Sequence, residues 1–100
     1  MASTYDFIVI GSGHNGLTAA CYLAKAGKKI LVLERNDWSG GGVVTKELIA
    51  PGFKFDLHSS LHVNIQANPL IINDELKLQS KYGLKYIYPD GVYSTMFDDG

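Results

Sequence analysis

A single cysteine, Cys21, in one hundred residues excludes any disulfide framework within the chain. It falls inside a small-residue helical stretch, where a packing role is a simpler reading than a redox role. No sign of charge predominates: nine Lys and Arg face ten Asp and Glu, a net charge of −1. The electrostatic footprint of a nucleic-acid partner is missing, and no basic run points to a membrane surface. Long apolar runs are also missing. The first apolar stretch is too short to span a bilayer and has no basic flank, so neither a membrane span nor a secretory signal is expected. The expected location is cytoplasmic, with peripheral membrane association left open. There is no internal repeat and no low-complexity tract.

What is present is concentrated in Tyr5–Arg35, YDFIVIGSGHNGLTAACYLAKAGKKILVLER. Phe7–Ile10 is a continuous apolar run, the pattern of a strand buried on both faces of a parallel sheet. Gly11, Gly13 and Gly16 follow at once as G-x-G-x-x-G, with Ser12, His14 and Asn15 between them. The first glycine suits a tight turn, the second lets a pyrophosphate approach the backbone, and the third lets a helix pack closely on the strand. Asn15 is placed to satisfy free amides at the helix start, where the macrodipole favours an anion. Leu17, Ala20, Cys21 and Ala24 give an apolar stripe at helical spacing, and Gly27 is a suitable left-handed cap. Lys29–Leu33 reads as a second strand ending at Glu34. An acid about 20 residues beyond the glycines is placed to accept both hydroxyls of an adenosine ribose. It would repel the extra phosphate of NADP, and Arg35 alone does not obviously reverse that. A glycine motif by itself is weak, but here strand, helix and acid surround it in order. The fold class is therefore α/β, with a Rossmann-type βαβ unit on a parallel sheet.

A second glycine segment follows. Gly40, Gly41 and Gly42 precede Val43-Val44-Thr45, which implies backbone running close against something bulky. A flexible linker is the competing explanation, but such linkers are usually longer and are not bracketed by Trp38 and two valines. Pro51–Asp56 reads as a turn leading into a short alternating strand. A nicotinamide enzyme has no standard need for these features. FAD does, because its ribityl–isoalloxazine half must thread past the first domain.

At these residues the sequence resembles the amine-oxidase and phytoene-desaturase superfamily of FAD oxidoreductases. The G-H-N-G turn, the L-E-R strand end and the P-G-F-K-F-D-L-H stretch are most similar to the phytoene-dehydrogenase-related branch. The resemblance implies a split Rossmann FAD domain with an inserted substrate domain. It implies that Gly11, Gly13 and Gly16 hold the FAD pyrophosphate and that Glu34 holds the adenosine ribose, with Arg35 beside it. Gly40, Gly41 and the following residues, Gly42 and Val43 among them, would line the pyrophosphate and ribityl path. Two positions depart from the family pattern. Gly42 stands where many relatives carry arginine after the paired glycines, and His58 where many carry glycine.

His58 and His62, four apart, would suit a metal pair on a helix, but no cysteine or sufficient carboxylate set completes a site. No metal is expected. A histidine close to the flavin and a pair of packed polar residues are the two remaining readings. Asn73–Tyr82 reads as a short helix stopped by Gly83. Lys85–Tyr88 and Val92–Phe97 flank Pro89-Asp90-Gly91 as a hairpin. Tyr82, Tyr86, Tyr88 and Tyr93 suit sheet packing better than the border of a substrate cavity.

One crossover and two parallel strands leave sheet edges unpaired, so the chain is expected to be the amino-terminal piece of a longer enzyme. Residues 1–65 would be the amino-terminal part of the FAD domain and 66–100 the start of a mixed α+β substrate domain. The expected activity is hydride abstraction by FAD from an apolar, polyene- or carotenoid-like substrate, or from an amine. The expected partner is the rest of the enzyme, as a carboxy-terminal portion or companion chain. No catalytic acid or base can be named. The alternatives are an NAD-dependent dehydrogenase and a non-catalytic flavin-binding subunit.

Overall fold

The computed structural model describes residues 4–59 and 61–91. Strand β1 (Phe7–Ile10), helix α1 (His14–Lys25) and strand β2 (Ile30–Leu33) form the expected crossover unit. The strands pair in parallel, with Phe7 opposite Ile30 and Ile10 opposite Leu33. Both consist wholly of β-branched, aromatic or leucine residues, which suit a pleated surface. The ladder continues past each end: the Asp6 amide donates to the Lys29 carbonyl at 2.9 Å, and the Gly11 amide to the Leu33 carbonyl at 2.6 Å. The register therefore delivers the end of β2 to the start of the glycine turn.

Helix α1 ends as the sequence predicts. Gly27 lies at φ +80°. Its amide donates to Ala24, while the Lys28 amide reaches back to Leu23, the paired bonds of a Schellman cap. The start of α1 differs from expectation. Gly13 occupies the N-cap position and no side chain caps the helix, so Asn15 lies within the first turn rather than closing it. The buried stripe is also displaced. Ala20 is buried and Gly16, Leu17 and Leu23 are half-buried, whereas Cys21 and Ala24 are exposed. Those two residues line a groove against Glu75–Leu78. Tyr22 donates to the Glu75 carboxylate, and Lys25 Nζ to the Glu75 carbonyl at 2.7 Å. That side of the helix is thus anchored by polar contacts instead of apolar burial.

The expected two-face burial of β1 is not met among the described residues. Ile8 and Ile10 are 60% and 88% exposed, because the described sheet has only two strands and one covering helix.

Strands β3 (Thr45–Lys46) and β4 (Phe55–Asp56) form an antiparallel pair. Between them the chain turns at Gly52, whose amide donates to Glu47 Oε2 at 3.0 Å. The turn-then-strand expectation for Pro51–Asp56 is met, with a strand of two residues. Two short helices follow, α2 (Val63–Gln66) and α3 (Pro69–Ile72). Asn68 caps α3 by accepting the Leu70 amide at 3.0 Å, and Pro69 supplies the preset first helical residue. Leu70 and Ile71 are buried there.

The expected helix over Asn73–Tyr82 does not form; that stretch is a series of turns. Asp74 and Lys77 sit at φ +47° and +61°, and the Asp74 carboxylate accepts the Gln79 and Ser80 amides at 2.9 Å each. A short acid that captures backbone amides competes directly with helix propagation. Lys85–Tyr88 is not a strand either. Its expected hairpin partner, Val92–Phe97, lies outside the described residues, as does Tyr93.

Candidate cofactor-binding site

The two glycine segments, 24 residues or more apart in sequence, fold onto one another. Gly13 and Gly40 form an isolated parallel bridge, and the Gly40 amide donates to the Ser12 carbonyl at 2.8 Å. The approach is tight on one side, and the first turn is tight within itself. A Cβ on Gly41 would lie 3.0 Å from the Gly13 Cα, and one on Gly16 would lie 2.5 Å from the Gly11 carbonyl oxygen. Gly16 is therefore the close helix–strand contact expected from its motif position; its Cβ would also meet Val9 of β1 at 3.4 Å. Gly40, at φ +110°, could carry a side chain only if the backbone shifted, since its Cβ would collide with the Val43 carbonyl. Gly11 and Gly42, by contrast, face open space.

Beside this contact lies the uncapped start of α1. Helix α1 begins at His14 with the Gly13 carbonyl accepting the Leu17 amide at 2.9 Å. With no side-chain cap, the first-turn amides of His14, Asn15 and Gly16 remain for a ligand. His14 and Asn15 are exposed, and Val43 is 42% exposed beside Gly40.

Glu34 stands at the carboxyl end of β2, as expected, and ties that end to the turn. Its Oε2 accepts the Ser12 amide at 2.7 Å and the Ser12 hydroxyl at 3.0 Å. Its Oε1 accepts the Asn36 amide at 3.0 Å and Asn36 Nδ2 at 2.9 Å. These donors hold the carboxyl down to about 2, the Asn36 backbone amide contributing most and the Ser12 amide and hydroxyl next. The group is ionised throughout the physiological range. Ser12 is 2% exposed, the most buried polar residue described. Arg35 follows directly in the chain and is exposed.

Sequence reasoning located Ser12 and Glu34 separately but missed their contact, which spans 22 residues. It missed Asn36 altogether, although an asparagine two residues after an acid is a recognisable local donor. It also missed Lys46, whose Nζ lies 3.2 Å from the centroid of the Trp38 ring. That contact fastens β3 to the segment preceding the glycines.

Farther on, His58 and His62 do not share a helix: His62 is the N-cap of α2. Its Nε2 lies 3.0 Å from Ser59 Oγ, and its ring meets Tyr86 edge-on at 5.9 Å. Tyr88 donates to Gln66 Oε1 at 2.8 Å. Tyr86 and Tyr88 thus border a groove with His62 and Asp56, in place of the sheet packing expected for them. Among the described residues there is no cluster of three metal-ligating side chains. Nor is any described helix long and apolar enough to cross a membrane.

A crossover unit with a glycine cradle and an ionised acid at the second strand end defines a dinucleotide-binding protein. The chain belongs to the NAD(P)-binding Rossmann-like domain family, whose model matches residues 9–72. It is 43% identical over 95 residues to a subunit of the limonene dehydrogenase of Castellaniella defragrans, covering 95% of this chain and 16% of that protein. It is 50% identical over 98 residues to pyridine nucleotide-disulfide oxidoreductase domain-containing protein 2 of Rattus norvegicus, covering 96% of this chain and 16% of that protein. A carotenoid 3,4-desaturase of Haloarcula japonica is 43% identical over 58 residues, or 58% of this chain and 11% of the desaturase. The chain therefore spans about a sixth of the length of the first two relatives. These relatives bear out the resemblance to oxidoreductases of the desaturase type.

Proposed function

We infer that this chain holds the adenosine-diphosphate half of FAD for a flavin-dependent oxidoreductase. The docking of Gly40–Gly42 onto the Gly11–Gly16 turn carries the reading. A nicotinamide unit needs the first glycine turn and the acid. A second glycine segment folded over that turn suits a ligand that continues past the pyrophosphate toward a second domain. The residues present fit such a group: an uncapped helix start, two glycine segments in backbone contact at Gly13 and Gly40–Gly41, and open space at Gly11 and Gly42.

In this reading Gly13, His14, Asn15 and Gly16 present the pyrophosphate site and Glu34 with Arg35 the adenosine ribose, while Ser12, buried and bonded to Glu34, shapes the turn instead of touching the ligand. Gly40, Gly41, Gly42 and Val43 line the path toward the ring. FAD, when bound, supplies hydride acceptance. The chain's own residues bind and orient it, and residues over the reactive ring come from the carboxy-terminal portion or a companion chain. The FAD part corresponds to residues 1–65, and 66–100 open the substrate domain. Limonene and carotenoids, named in two relatives, are apolar unsaturated compounds, which supports an apolar alkene or polyene substrate over an amine.

A second reading, an NAD-dependent dehydrogenase, has the family's description on its side. The absorption spectrum of the purified intact protein decides between them. Flavin bands that disappear in Gly13→Val are the expected result. A colourless protein that binds NADH would overturn the FAD reading. Anaerobic bleaching of the flavin by a terpene or polyene, but not by an amine, would identify the substrate class. Absence of bleaching by any of them would favour a flavin-holding subunit without catalysis.

A further inference from the structure

Glu34 has no vacant acceptor position. An ionised carboxylate offers about four lone-pair sites, two on each oxygen. Oε2 takes the Ser12 amide and hydroxyl, and Oε1 takes the Asn36 backbone amide and Nδ2. A ribose hydroxyl can therefore donate to this carboxylate only by displacing one of four donors.

The four differ in what displacement costs. Ser12 is 2% exposed, so its amide or hydroxyl would lose the partner without gaining water. The Asn36 backbone amide is fixed by the chain leaving β2. The Asn36 side chain is exposed and can exchange Glu34 for solvent. Displacement at Oε1, by removal of Nδ2, is the cheapest route.

We propose that the Asn36 side-chain amide is an internal stand-in for a ribose hydroxyl. An adenine ribonucleotide exchanges with it at Glu34 Oε1, while Ser12 keeps Oε2 in place. The inference rests on the assignment of Glu34 to the ribose, and it sharpens that assignment in two ways. The carboxylate meets one hydroxyl directly instead of both. Asn36 sets affinity by competition, so its removal strengthens binding, the reverse of what loss of a ligand contact produces.

The test uses the intact protein freed of bound nucleotide, titrated calorimetrically with ADP and with 2′,3′-dideoxyadenosine diphosphate. Asn36→Ala is expected to tighten ADP roughly two- to tenfold, the range of one exchanged hydrogen bond. The dideoxy nucleotide, which has no hydroxyl to compete, is expected to bind wild type and variant alike. Equal tightening of both nucleotides, an unchanged ADP affinity or a weakened one would overturn the proposal. Glu34→Gln separates this from the underlying assignment. If it weakens ADP but not the dideoxy nucleotide, the ribose site stands whatever Asn36 does. If it affects both equally, the ribose assignment fails and the stand-in fails with it.

Discussion

The Gly40 amide donates to the Ser12 carbonyl at 2.8 Å, joining the second glycine segment to the first turn. That bond places the end of one loop across the start of α1 and turns two separate glycine runs into one cradle.

Gly40→Ala is expected to destabilise the protein by about 1–3 kcal/mol, since its left-handed φ and the Val43 carbonyl both oppose a side chain. Gly42→Ala meets open space and is expected to leave the melting temperature unchanged. Thermal denaturation of the two intact variants checks the contrast. A loss of flavin in Gly42→Ala without a change in melting would place the ligand against that position.

Gly16→Ala brings a methyl group to 2.5 Å from the Gly11 carbonyl oxygen, a backbone atom that cannot rotate away. Overpacking of this kind costs about 1–3 kcal/mol. Because α1 would be pushed off β1, weaker denaturant resistance and weaker nucleotide binding should appear together. A fully stable Gly16→Ala protein would show that helix and strand are not in this close contact.

Gly27→Ala tests conformation alone, since no atom lies within 4 Å of the added methyl. A left-handed residue with a Cβ costs roughly 1–2 kcal/mol. Urea unfolding should show a shifted midpoint with an unchanged slope, and Gly27→Asn should recover part of the loss.

The Glu34 carboxyl is held near 2 against an ordinary value of 4.5. A depressed folded-state value means that its stabilising contribution is complete above the ordinary range. The contribution is then lost as pH falls from about 4.5 through about 2. Carbon-detected titration of Glu34 should show a midpoint near the lower figure. Ser12→Ala, which removes one of the donors, should move that midpoint upward. A midpoint at the ordinary value in the wild type would contradict the four-donor arrangement.

Local pattern was enough for most of the crossover unit. Phe7–Ile10 needed only its apolar run, and the end of α1 only Gly27, because each preference is settled within a few residues. The same approach failed at Asn73–Tyr82. A short helix stopped by Gly83 was the expectation there, but Asp74 captured the amides of Gln79 and Ser80 and the chain turned instead. Cys21 and Ala24 followed the helical period yet face Glu75–Leu78 rather than the sheet, since periodicity defines a face but not what covers it.

By itself the sequence determined the βαβ unit, the three motif glycines and the acid after β2, because each is a short-range statement about backbone freedom, burial or spacing. Only the tertiary structure decided that Gly40 lies on Ser12 and that Glu34 Oε2 is taken by the Ser12 amide and hydroxyl. The physical reason is that hydrogen bonds between residues 22 or more apart depend on the parallel register of β1 and β2. That register brings the Gly11 turn and the β2 end side by side, and no local preference in either segment encodes it.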